Sequence, residues 1–337
     1  MLLAPENSCA SVFQVYEVSD KKVSIRFVNF WKGFNHSSNF FVDLLENDGL
    51  QVSVINSQAK TVDLEIVSVA SNKYRELLLK GRRKLLGLST NPTYENRLDL
   101  LGIPKRKNNA KRRIWYTGEN LRVPFEANFD GYLSFDPSDE ALNNAYLPLW
   151  MLSVGWFSNS RNLGRVGTNT HINDLIRGRE LLEPKNKMIC AFVGNPEPVR
   201  LRTIREFSKV FEVDVFGAYY GNFIKSKMSV APNYRYSLSF ENDLYPGYVT
   251  EKIVEAYLAG NVPIHRGLFD SDSEVEFNPK AFINFNDFKD TKDVCNYISS
   301  LSESSYNELY CQPLILEFPK LDKIRKVLTS EHLNFRI

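Results

Sequence analysis

Strand-like and helix-like runs alternate along this chain, and that alternation does more than any other feature to restrict its fold. VSIRFVNFW (23–31) is β-branched and aromatic, which predicts a buried strand over Lys22 to Trp31. NHSSN then supplies N-cap candidates, FFVDLLEND (40–48) has helical spacing, and Gly49 stops it. QVSVI (51–55) and VDLEIVSV (62–69) read as two further strands. A second series starts at Lys187. MICAFVG (188–194), VDVFG (213–217), YSLSF (236–240), VPIHRG (262–267) and AFINF (281–285) are strands, with the helical patterns VRLRTIREFSKVF and TEKIVEAYLAG between them. Helices over 290–301, 303–311 and 318–330 finish the chain. Strands that alternate with helices form parallel sheets covered on both faces, so the expected class is α/β.

The length of 337 residues is enough for two such units. The expectation is an N-terminal domain over 1–160 and a C-terminal one over 161–337, facing a cleft. The last helix is free in this reading to pack back on the first domain. IWYTGEN and FDGYLSFD fit the end of the first unit. DEALNNAYLPLWML (139–152) has a helical pattern until Pro148, and the polar residues 153–187 read as loop and crossover.

Bulk properties exclude several classes. A net charge of +2 is not that of a nucleic-acid-binding polycation, so no nucleic acid partner is expected. No apolar run approaches the roughly 18 residues of a membrane helix. The start, MLLAPENSCASVF, lacks the basic region and apolar core of a signal peptide, so a cytoplasmic location is expected. Cys9, Cys190, Cys295 and Cys311 are far apart, and the four histidines show no metal-ligand spacing; free thiols and no zinc site follow. Residues 73–113 carry many basic side chains. They read first as a solvated helix and loop, and in a sharper reading as peripheral contact with an anionic surface at the inner face of the membrane.

The densest chemistry lies in FENDLYPGYVTEK, Phe240 to Lys252. A strand runs into a loop rich in Pro, Gly and Tyr, and Thr250 offers an N-cap, which puts Glu251 and Lys252 in a first helical turn. Open α/β sheets bind ligands at this carboxyl end of the strands, and a helix N-terminus favours phosphate. The helix dipole disfavours a lysine there by about 0.3–1 kcal/mol, and a bound anion compensates. Glu251 suits the dipole and could accept from a ribose diol. The plain alternative is an exposed first-turn pair.

The run FENDLYPGYVTEKIVEAYLAGNVPIHRG closely resembles the signature of the α-1,3/1,4-fucosyltransferases, glycosyltransferase family ten, and is most similar to the short bacterial members. YTGEN (116–120), FVGNPEPVR (192–200) and FNPKAFIN (277–284) resemble further family blocks, in family order. The resemblance implies the GT-B architecture, two Rossmann-like domains facing a cleft. It implies GDP-L-fucose as donor and a Gal/GlcNAc-type glycan as acceptor. Arg200 and Lys252 fall on diphosphate-binding positions, Glu251 on the ribose position, Asn242 and Tyr248 on donor-loop positions, and Glu119 on the catalytic base. Trp31 and Phe34 are either core or part of an acceptor platform.

The implied reaction is an inverting transfer of L-fucose, through an oxocarbenium-like state, to O3 of GlcNAc. The alternatives are another GDP-deoxyhexose or a binding module without turnover. No cofactor is required in this reading; a divalent cation can enhance activity without being essential. Asp270 and Asp272, in FDSDSE, have D-x-D spacing but sit in a Ser-rich loop away from a strand end, and are not assigned to a metal.

Overall fold

The computed structural model describes residues 21–56, 60–69, 109–119, 121–123, 129–157, 160, 170–181, 184–194, 196–269 and 275–329. The basic segment 73–113 therefore lies outside the described residues up to position 108, as do Cys9, Asp270 and Asp272.

Two parallel sheets organise the chain. The first contains β1 (Lys22–Val28), β2 (Gln51–Val54), β3 (Val62–Val67), β4 (Ala110–Tyr116), β5 (Gly131–Ser134) and β6 (Asn144–Tyr146), in the order β2-β1-β3-β4-β5-β6. The second contains β7 (Lys187–Phe192), β8 (Val213–Phe216), β9 (Tyr234–Phe240), β10 (Val262–Arg266) and β11 (Ile283–Asn284), in the order β11-β10-β9-β7-β8. Every named strand pairing is parallel. In both sheets the second strand turns outward and the third returns to the other side of the first. This reversal leaves a crevice at the carboxyl edge, between β7 and β9 in the second sheet.

The helices are α1 (Phe40–Asn47), α2 (Asn173–Ile176), α3 (Pro198–Phe207), α4 (Glu251–Leu258), α5 (Thr291–Ser300), α6 (Glu303–Cys311) and α7 (Asp322–Thr329). Local chemistry explains their starts. The Asn39 side chain accepts from the Phe41 and Val42 N–H groups, and Glu197 does the same for Val199 and Arg200, with Pro198 in the first turn. Helix α7 packs on β5 and β6 of the first sheet, and Arg112 donates to the Val327 carbonyl at 2.7 and 2.9 Å.

The core is shared between the two halves. Val249, Ile253, Val254 and Tyr257 from α4 and its lead-in join one buried cluster with Phe135, Tyr146, Trp150 and Met151 of the N-terminal half. A second cluster, with Ile189, Phe207, Leu238, Phe240 and Ile264, fills the C-terminal sheet.

Two sequence expectations need correction. Residues 139–152 are not helical: they form a turn, β6 and a 3-10 helix over Leu149–Ser153. The Asp139 side chain accepts from the Ala141 and Leu142 N–H groups, and Asn143 adopts a left-handed φ of 51°. These local Asp and Asn turns win over the apolar spacing. β1 also ends at Val28 rather than Trp31, because Asn29 has a φ of 56° and turns the chain out of the sheet.

His265 on β10 is fully buried, and Ser239 O lies 2.7 Å from its Nδ1. Burial drives its pKa down to about 4. The unfolded imidazole titrates near ~6.5, so the unfolded chain binds the extra proton between these values. Stability is therefore lost as pH falls through that window. Urea unfolding at pH 5 and at pH 7.5 will show a smaller pH dependence for His265→Asn than for wild type; equal slopes would exclude this histidine as a cause.

Candidate active site

A cavity of about 760 Å³ opens at the crevice of the second sheet. Six of the residues singled out in the sequence line it: Glu119, Arg200, Asn242, Tyr248, Glu251 and Lys252. They are brought together from four places: the turn after β4, the first turn of α3, the loop after β9, and the first turn of α4.

Arg200 is buried, whereas its neighbours Arg202 and Arg205 are exposed. Its Nη2 donates to Phe240 O at 2.7 Å and to Asn242 Oδ1 at 2.9 Å. Asn242 is thereby fixed to the same point of the wall. Burial lowers the pKa of Arg200, while Glu197 and Glu241 oppose that shift. A guanidinium stays charged under such shifts, so the wall carries a fixed cation.

Lys252 stands at the mouth of α4. No side chain caps this helix: Thr250 occupies the N-cap position, but its hydroxyl turns instead to Glu241, at 2.8 and 3.0 Å from the two carboxylate oxygens. The helix therefore presents its positive end to the cavity. At the other end, Arg179 donates to the carbonyls of Tyr257 and Asn261 and Lys185 donates to that of Gly260, which places cations where the dipole favours them.

Tyr248 is buried, and its phenol pKa is raised well above the usual range by burial first, then by Glu241, Glu119 and Glu251. The hydroxyl stays protonated and able to donate at any ordinary pH. Glu119 is exposed at the cavity wall. Its turn is held from below: Thr117 Oγ1 donates to the Glu119 carbonyl at 3.0 Å, and Leu121 N donates to the same oxygen at 2.6 Å.

Trp31 and Phe34 do not line this cavity. They pack with Phe30, which stacks on Phe34 at 4.1 Å and on Tyr116 at 5.9 Å. Tyr116 ends the strand that leads to Glu119.

The loop carrying Asn242 and Tyr248 is anchored on the N-terminal half. Phe135 meets Tyr245 and Tyr248 edge-on at 5.5 and 5.2 Å, and Tyr146 donates to the Gly247 carbonyl at 3.3 Å. Gly247 has a φ of +80°, and a Cβ there would lie 2.2 Å from the Phe135 carbonyl oxygen. Gly247→Ala is expected to destabilise the fold by about 2–4 kcal/mol through combined backbone strain and overlap. Chemical denaturation measures this, and a change within 0.5 kcal/mol, the ordinary surface range, would show that the loop relaxes freely.

Sequence reasoning passed over Glu241, which is fully buried beneath Lys252 and accepts from its Nζ at 2.8 Å. The available signal was an acid immediately before Asn242, at the carboxyl end of a strand. It also passed over Lys227 and Glu255, an ion pair that lines the same cavity.

Residues 182–312 match the model of glycosyltransferase family 10 (fucosyltransferase), C-terminal part. Over these residues the chain resembles a family 10 glycosyltransferase domain. Over 130 residues it is 31% identical to 4-galactosyl-N-acetylglucosaminide 3-alpha-L-fucosyltransferase 9 of Mus musculus, covering 37% of this chain and 36% of that one. The alpha-(1,3)-fucosyltransferase FucT of Helicobacter pylori is 30% identical over 234 residues, 61% of this chain and 48% of its own length. The matches thus span less than half of each of these relatives.

The whole fold is similar to the crystal structure of an alpha1,3-fucosyltransferase, with a TM-score of 0.62 at 20% identity, covering 96% of this chain and 94% of that one. A crystal structure of an alpha1,3-fucosyltransferase with GDP-fucose gives a TM-score of 0.60 at 20% identity, covering 94% of this chain and 93% of that one. The architecture is GT-B. The matched residues contain α3, β9 and α4, and so Arg200, Asn242, Tyr248, Glu251 and Lys252; Glu119 lies before them, in the other half.

Proposed function

We propose that the protein is an inverting fucosyltransferase that moves L-fucose from GDP-L-fucose to a hydroxyl of a Gal/GlcNAc-type glycan, with O3 of GlcNAc as the acceptor atom. One observation carries this reading: two cations, Arg200 and Lys252, meet at the wall of a cavity that a carboxylate from the other half of the chain, Glu119, also lines. The similarity to 3-alpha-L-fucosyltransferases supports the choice of donor and linkage.

The proposed mechanism is a single displacement. The diphosphate of the donor lies against Arg200, Lys252 and the mouth of α4, with Glu251 on the ribose. As the glycosidic bond breaks, negative charge grows on the diphosphate, where these fixed cations stabilise it. Arg200 offers a planar fork and Lys252 a point charge. Glu119 removes the proton of the attacking hydroxyl on the opposite face of the sugar, which inverts the anomeric centre. Two protein cations on the leaving group do the work that a metal performs elsewhere, so the reaction is expected to proceed in EDTA. Full loss in EDTA with recovery on adding Mn²⁺ would overturn that point and return attention to Asp270 and Asp272.

The decisive assay offers GDP-fucose with lactose, N-acetyllactosamine or the type-1 disaccharide, followed by linkage analysis. Transfer to O3 of GlcNAc with an inverted anomer is the expected product. Transfer of a different GDP-deoxyhexose would keep the mechanism and change the donor. Tight GDP binding with no turnover on any acceptor would point to a binding module.

A further inference from the structure

Glu241 is fully buried, yet nothing in the proposed chemistry uses it. Its carboxylate accepts from Thr250 N at 2.7 Å, from Thr250 Oγ1 at 2.8 and 3.0 Å, and from Lys252 Nζ at 2.8 Å. Lys252 Nζ also donates to Thr250 Oγ1 at 2.7 Å. The lysine side chain is one-fifth exposed, and it lines the cavity.

We infer that Glu241 is a positioning residue: it parks the Lys252 ammonium on a buried carboxylate and a hydroxyl, so that the remaining N–H points at the site of the donor's diphosphate. An ammonium has three N–H donors in fixed tetrahedral directions. Two acceptors on one side set the direction of the third. A lysine otherwise carries considerable rotamer entropy, which anion binding would have to overcome. Here that ordering is done during folding. The same carboxylate takes the N-cap hydroxyl away from α4, which leaves the mouth of the helix to the anion.

Two effects of the Glu241 charge compete. Its negative charge weakens the attraction of Lys252 for phosphate, while its hydrogen bond orients the ammonium. Neutralisation to glutamine decides between them. The amide oxygen can still accept from Thr250 N, but the amide NH₂ then faces the ammonium, donor against donor, and drives the lysine out of place. Orientation wins, and the anion is bound less tightly.

This inference rests on the diphosphate reading of the site, so the test uses inorganic pyrophosphate beside GDP. Calorimetry on the full chain compares pyrophosphate, GDP and, by competition, guanosine. Glu241→Gln is expected to weaken pyrophosphate and GDP about tenfold and to leave guanosine within about twofold. In a Lys252→Met background, which has no ammonium left to orient, Glu241→Gln should cost nothing further, because it removes only a negative charge that repels the anion. Thr250→Val removes the second acceptor while keeping the charge pair. It should show the same selectivity at a few-fold loss, and it serves if Glu241→Gln fails to fold.

Equal losses for guanosine and GDP, or additive losses in the double variant, would make Glu241 a purely structural acid and overturn the inference. So would a wild type that binds no pyrophosphate. A wild type that binds pyrophosphate but does not prefer GDP over UDP and ADP sinks the donor assignment instead, and leaves the role of Glu241 standing.

Discussion

Glu119→Gln should lower the rate of transfer by about 10²–10⁴-fold, the range for loss of a general base, and leave GDP-fucose affinity within a few-fold. The reasoning is geometric. Glu119 reaches the cavity from the N-terminal half, on the turn after β4, whereas Arg200, Asn242, Glu251 and Lys252 come from the C-terminal sheet. In the proposed reading the donor is held by the second group. The substitution keeps the shape and hydrogen-bonding reach of the side chain and removes only its capacity to take a proton. The turn is held at its main chain, where Thr117 Oγ1 and Leu121 N donate to the Glu119 carbonyl oxygen. Rapid-mix turnover with calorimetry on the same protein separates the two quantities. A large loss of GDP-fucose affinity with unchanged turnover at saturation would move Glu119 to the donor side.

Much of this architecture was legible because the information is local. β-branched runs, N-cap residues and stop glycines set the strands and helices of both sheets. The motif FEN-x4-GYVTEK marks its own strand end, loop and helix start. What escaped reading depends on contacts between separate elements, even where these are close in the chain. Glu241 differs from a solvated loop acid only because Thr250 and Lys252, nine and eleven residues on, fold back over it. Thr250 looks like an ordinary N-cap, and becomes a bridge because that carboxylate competes for its hydroxyl. Residues 139–152 have helical spacing, but the parallel pairing of β6 with β5 and the left-handed Asn143 override it. Trp31 and Phe34 could be placed near the site but not in it, since aromatic spacing does not say whether rings face a cavity or one another. Arg200 illustrates the converse. The sequence offers three arginines on one helix, the resemblance points to the first, and the structure buries that one while Arg202 and Arg205 stay exposed.

Replacing that arginine should have the second large effect. Arg200→Ala is expected to weaken GDP by about 10²–10³-fold, while guanosine binding falls much less. Charge-assisted hydrogen bonds contribute about 1.5–3 kcal/mol each, and a diphosphate can take two from a fork. The substitution also strips Phe240 O and Asn242 Oδ1 of their donor, and leaving a buried acceptor unsatisfied costs about 1–3 kcal/mol of folding stability. Arg200→Lys separates the two contributions. A lysine keeps the charge but has one nitrogen, which can serve the β9 carbonyl or the phosphate, not both in the same planar arrangement. It should therefore recover most of the stability and only part of the affinity, leaving GDP about tenfold weaker than in wild type. If Arg200→Lys bound GDP as tightly as wild type, the fork would be unnecessary and the guanidinium would be only a distant charge. If both variants bound guanosine and GDP with the same proportional loss, Arg200 would act by holding the Asn242 loop rather than by meeting the diphosphate.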